Sequence, residues 1–91
     1  MTVSVRIPTQ LRTLTAGAGE VQVEGSTVGE VLHALDGAHP GFAPRLFDDD
    51  GGLRRFVNVF VADEDVRFLD GLATTVTDGQ TVSIVPAVAG G

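Results

Sequence analysis

One stretch of the chain carries a long helical stripe: Val28, Val31, Leu32 and Leu35 fall at the i, i+3, i+4, i+7 spacing of a single helix face. Thr27 with Glu30 three residues on forms a capping box, and Gly37 supplies a stop, so a helix of about three turns is predicted between them. Four apolar positions on one stripe cover one face of one sheet. Every other apolar segment of this 91-residue chain must therefore be arranged around that single helix.

Those other segments alternate with period two. Thr2 to Ile7 puts Val3, Val5 and Ile7 on one side and stops at Pro8, as a half-buried strand should. Glu20 to Glu24 alternates again after a turn region holding Gly17 and Gly19, so the two read as an antiparallel hairpin with a long loop. From Ala38 to Arg55 the chain is rich in Gly, Pro and Asp, with a helical turn expected at Ala43 to Phe47 and a solvated turn at Asp48 to Gly52. Phe56 to Val61 is dense in β-branched and aromatic residues, with Val57, Val59 and Val61 on one face and Phe56, Asn58 and Phe60 on the other. Asp63-Glu64-Asp65 is expected to turn it, Val66 to Leu69 to form a short edge strand, and Thr77-Asp78-Gly79 to lead into a last strand over Gln80 to Val85. Pro86 cannot donate to a ladder and marks the end of that strand. The expected architecture is α+β, a mixed sheet of about five strands with one main helix across one face and the other face left to solvent or a partner. Residues 1–85 make the domain and residues 86–91 a flexible tail.

Composition removes most chemistry. No cysteine is present, which excludes disulfides, iron-sulfur clusters, thiolate zinc and thiol nucleophiles. All six basic residues are arginines, so a Walker A lysine, a Schiff-base lysine and isopeptide bonds on this chain's own side chains are excluded too. Twelve acidic residues give a net charge of −6, which argues against nucleic acid or an anionic membrane and toward a basic protein surface. No apolar run approaches the ~20 residues of a membrane span, and no leader is evident at the start, so the expected location is the cytoplasm.

The motifs fail as well. Gly17-Ala18-Gly19 precedes a strand instead of following one, and Gly52 stands where a calcium loop starting at Asp48 needs its third oxygen ligand. His33 lies off the helix stripe and His39 beyond its glycine stop, so they are not placed to share a metal. No nucleophile elbow or serine triad can be argued, and no metal or intrinsic cofactor is expected.

The ending survives this filter. Pro86-Ala87-Val88-Ala89-Gly90-Gly91 is six small residues finishing in two glycines, and at about 3.3 Å per residue it reaches roughly 20 Å beyond the sheet. A glycine pair has no Cβ, so the terminal carboxylate can thread a narrow channel and meet an activating group unhindered.

With the ending, the blocks Ser4-Val5-Arg6-Ile7-Pro8, Arg55 to Val61, Asp63 to Phe68 and Gly71-Leu72-Ala73-Thr74 resemble the β-grasp, ubiquitin-like sulfur carriers of the ThiS/MoaD superfamily, most closely their CysO-type, cysteine-biosynthesis branch. MoaD-type chains commonly carry two prolines before Val-x-Gly-Gly, whereas Pro86 here is followed by Ala87. The resemblance implies a protein co-substrate, not an enzyme. Its reacting end would be Gly91 with Gly90: an E1-like adenylyltransferase/sulfurtransferase uses ATP to activate the carboxylate, which becomes a thiocarboxylate. Further implied partners are a PLP-dependent cysteine synthase that accepts the sulfur and a metallopeptidase that releases cysteine, with the carrier a monomer when free. Phe60, Val85 and Val88 are expected to form an apolar docking patch ringed by acidic residues, with Pro86, Ala87 and Ala89 in the bound tail. Three alternatives stay open: sulfur donation to thiosugar and other thio-natural-product pathways, a molybdopterin or thiamin carrier with the same mechanism, and a ubiquitin-like interaction module or protein modifier.

Overall fold

The computed structural model describes residues 2–55 and 57–86. Its strands are β1 (Thr2–Arg6), β2 (Glu20–Glu24), β3 (Val57–Val61), β4 (Glu64–Asp65) and β5 (Thr81–Pro86), and its helices α1 (Val28–Ala38) and α2 (Ala43–Leu46). One five-stranded sheet runs in the order β2-β1-β5-β3-β4. The first and last strands, β1 and β5, pair in parallel near its middle, and every other pairing is antiparallel. A parallel pair cannot be closed by a tight turn, so α1 and the elements after it form the crossover between β1 and β5. Among the described residues no helix is long and apolar enough to cross a membrane.

The inner face follows from alternation. Val3 and Val5 of β1, Val59 and Val61 of β3, and Val82 and Ile84 of β5 are buried together with the helix stripe Val28, Val31, Leu32 and Leu35. Full burial of each such side chain contributes about 1.5–3 kcal/mol. Phe42, which no periodicity marks, is fully buried in the core together with Leu46 of α2. The Gly/Pro/Asp-rich crossover therefore holds part of the core, tied down where Asp36 Oδ1 accepts from the backbone N–H groups of Gly41 and Ala43.

Several local expectations are corrected. The loop between β1 and β2 is a 3₁₀ segment, Thr9–Thr15, that buries Leu11, and α1 runs one residue past Gly37. Asp63-Glu64-Asp65 is not the turn: Ala62 and Asp63 alone form it, and Glu64 and Asp65 already pair with Val61 and Phe60. Val66–Phe68 is a 3₁₀ turn and not an edge strand, because Asp65 Oδ1 caps the Arg67 N–H at 2.8 Å and winds the backbone out of the sheet. Pro86 lies inside β5 as its last residue, opposite Val57. The turn at Asp48–Gly52 is as expected, with Asp48 Oδ1 accepting from Asp50 N and Gly52 N.

A two-residue hairpin needs positive φ at both central positions to match strand twist, and Ala62 (51°) and Asp63 (70°) provide it without glycine. A left-handed alanine costs roughly 1 kcal/mol. Replacing the pair by Asn-Gly (Ala62→Asn with Asp63→Gly) should raise the melting temperature by about 4–8 °C. An unchanged or lower melting point would contradict this reading of the turn.

At the start of α1 the Thr27 half of the expected capping box forms, with Thr27 Oγ1 accepting from Glu30 N, but Glu30 reaches one residue past the cap, its Oε1 accepting from both Ser26 N and Ser26 Oγ. Those bonds, the backbone one first, hold the Glu30 carboxyl below its usual range. A lowered folded pKa means the stabilisation is present above the unfolded carboxylate value and lost as pH falls through the depressed one. The melting-temperature gap between wild type and Glu30→Gln should therefore be open at pH 7 and close in acid. A gap that widened in acid would refute the assignment.

Candidate docking face and the root of the tail

The helix covers the inner face only, so the outer face of the sheet is built from the alternate residues. In register across it lie Asp65, Phe60, Ser83, Arg6 and Glu20, one from each strand. Phe60 is half-buried, while Val85, two residues along β5 from Ser83, is 42% exposed. Val85 sits opposite Asn58, and Pro86 opposite Val57. Phe60 and Val85 thus share the outer face, Val85 next to the point where β5 ends and Phe60 opposite its middle. Phe56, Ala87, Val88, Ala89, Gly90 and Gly91 lie outside the described residues.

Asn58 has a partner that periodicity could not supply. Arg67 Nη1 donates to Asn58 Oδ1 at 2.6 Å, and Arg67 Nη2 donates to the Arg54 carbonyl at 2.8 Å. The planar guanidinium thus ties the segment after β4 to β3 and to the loop entering it. The only sequence signal for this is Asp65 two residues before Arg67, an Asx-turn spacing that also reads as part of an acidic run.

The expected acidic ring around the patch is corrected by this geometry. Asp65 flanks Phe60 on this face, with Asp63 in the adjoining turn, whereas the Val85 end is bordered by Arg67, bonded to Asn58 opposite Val85. Arg6 and Glu20 face one another at 4.0 Å with both side chains exposed, a pairing worth little. An open polar hollow of about 310 Å³, lined by Arg6, Ala62, Asp63, Gln80, Thr81 and Ser83, occupies the end of the sheet away from the tail. Among the described residues no cluster of three His, Asp or Glu side chains could hold a metal ion. His33 stacks on Phe47 with ring centroids 4.7 Å apart, away from this face.

A mixed five-stranded sheet with parallel first and last strands and one long helix on one face is the ubiquitin-like β-grasp. The ThiS family model matches residues 5–91. The sulfur carrier protein CysO of Mycobacterium tuberculosis is 50% identical over 93 residues, covering 100% of both chains. A chain in the crystal structure of the Amycolatopsis orientalis BexX/CysO complex superposes with a TM-score of 0.91 at 49% identity, covering 98% of this chain and 99% of the other. Small archaeal modifier protein 3 of Haloferax volcanii is 44% identical over 68 residues, 75% of this chain and 73% of the modifier. The chain belongs to the ThiS family of β-grasp sulfur carriers, and within it to the CysO type, a carrier and co-substrate for other proteins' chemistry. Membership implies an E1-like activating enzyme and a sulfur-accepting partner.

Lysine cannot span both acceptors of Arg67. Arg67→Lys should cost about 1 kcal/mol and lower the melting temperature by roughly 4–8 °C, since one bridging bond is lost. Calorimetry showing an unchanged melt would remove this tie from the account.

Proposed function

We propose that the chain carries sulfur as a Gly91 thiocarboxylate for cysteine synthesis. The supporting observation is the alignment with CysO at 50% identity over the whole of both chains, which extends across the tail that ends here in Gly90-Gly91. A Gly91 carboxylate oxygen attacks the α-phosphorus of ATP on the E1-like enzyme and pyrophosphate leaves. A sulfur donor attacks the acyl carbon and AMP leaves, giving the thiocarboxylate. The thioacid is ionised near neutral pH, so its sulfur is a nucleophile that stays tethered to the carrier. It adds to the β-carbon of the aminoacrylate that a PLP-dependent synthase forms from O-phosphoserine by loss of phosphate, giving a thioester. The cysteine amino group then attacks the acyl carbon, the thiol leaves, and a metallopeptidase hydrolyses the resulting Gly91–cysteine amide to free cysteine and the Gly91 carboxylate.

In this reading the folded body serves to be recognised. Phe60, Val85 and Val88 form the apolar docking patch, and Pro86, Ala87 and Ala89 line the bound tail with side chains too small to obstruct a channel. The work is done in the cytoplasm, with the carrier a monomer when free.

The likeness to small archaeal modifier protein 3 favours one second reading, in which Gly91 is joined to lysines of target proteins. With no lysine of its own, the chain would then be attached as single units and not as side-chain-linked polymers.

Carrier, activating enzyme, ATP and sulfide should be incubated with the synthase and O-phosphoserine, and the carrier's C-terminal peptide then sequenced by mass spectrometry. The expected product is cysteine attached to Gly91, removed by the metallopeptidase. The exposed-site variant Val85→Asp should reduce its rate about tenfold, the loss of one good interface contact, without changing the melting temperature. Recovery of the carrier as its thiocarboxylate with no cysteine adduct would reject this acceptor, and Gly91 linked to target lysines would favour the modifier.

A further inference from the structure

The largest apolar exposure among the described residues lies off the docking face. Phe68 is 86% exposed and its neighbour Leu69 41% exposed. Beside them an open hollow of about 470 Å³ is lined by Gly52, Leu53, Arg67, Asp70, Leu72 and the turn around Gly71. One exposed phenylalanine is ordinary, but the backbone that carries this one is held in place. Val66 is fully buried beneath the turn, Asp65 Oδ1 caps the Arg67 N–H, and Leu69 N donates to the Val66 carbonyl at 2.9 Å. On the other side Asp70 N donates to Thr74 Oγ1, and the Arg67 fork ties the turn to β3. A turn whose backbone is fixed before binding loses little backbone freedom when a partner covers the apolar side chain it presents.

Its position says what partner that is. The turn flanks β3, two strand spacings or about 10 Å from β5. From Pro86 only five residues lead to Gly91, so an enzyme acting on that end must come within roughly 17 Å of the root of the tail. An ordinary interface takes about 800 Å² from each partner, a disc of roughly 16 Å radius, and one centred on the root extends over this edge. An acceptor enzyme can select the carrier by its thiocarboxylate. The activating enzyme meets a plain carboxylate after two glycines and must read the folded body.

We propose that Phe68, with Leu69 and the hollow beside it, is a second anchor on this protein, inserted into an apolar socket of the E1-like activating enzyme while the outer face and tail are bound. The proposal rests on the carrier reading above.

The test compares wild type, Phe68→Ala and the size-conserving Phe68→Leu in ATP-dependent thiocarboxylate formation. Phe68→Ala is expected to raise the KM for carrier about tenfold with kcat within about twofold and the melting temperature unchanged, and Phe68→Leu to recover most of the loss. Phe68→Ala prepared directly as the thiocarboxylate, by sulfide cleavage of an intein fusion, should donate sulfur to the acceptor with the wild-type KM. An unchanged KM for activation overturns the anchor and leaves the carrier reading intact. A defect confined to the donation step assigns the surface to the acceptor and overturns the proposal. If wild type itself gains no sulfur, the carrier reading fails and the anchor with it.

Discussion

Strand β5 is clamped on both sides, in parallel to β1 through Ser4–Arg6 and antiparallel to β3 through Val57–Val61. A segment that must be threaded into a partner pulls on whatever it grows from. Here it grows from a strand whose backbone is paired on both flanks and whose Val82 and Ile84 are buried under α1. Releasing β5 would break two ladders and open the core, so the root of the tail is held by the cooperative stability of the whole domain. Because β1 and β5 are the first and last strands, their pairing also forces the intervening chain across one face, which leaves the other face open to carry Phe60 and Val85.

The parts of the fold legible in the sequence are those where one local signal decides the outcome. Val28, Val31, Leu32 and Leu35 specify α1 by spacing, Thr27 and Glu30 specify its start, and alternation gives β1, β2, β3 and β5 with the correct faces. The missed features come from contacts between distant residues. The Ala62-Asp63 turn carries no glycine and is held by the ladder on either side of it. Val66 to Phe68 looks like a strand by composition, but the Asp65 cap and the reach of Arg67 to Asn58 wind it into a turn. Phe42 is drawn into the core from a segment that reads as a loop.

The same division holds for the site. Membership in the ThiS family is carried by residues along the whole chain, and the tail's small residues are visible without a structure. The distribution of charge is not, because it depends on which strand ends meet. An acidic chain places Asp65 beside Phe60 on its outer face, with Asp63 in the adjoining turn, and Arg67 beside Asn58 toward the other end, so net charge alone misdescribes that face. A partner oriented by this face meets acid at one end and arginine near the root, a polarity that sets direction as well as attraction.

The central claim is that all of this serves one reacting group, the Gly91 carboxyl. It is tested most directly by incubating the intact protein with an E1-like enzyme, ATP and sulfide, then treating it with an alkylating reagent that labels thioacids and measuring its mass. Oxidised Met1 gains mass but takes no label, and the chain has no cysteine to label in its place. A single alkyl group, mapped to Gly91, is the predicted result. Folded protein with its tail intact and no label, across several competent activating enzymes, would contradict the account and leave a ubiquitin-like binding module in its place.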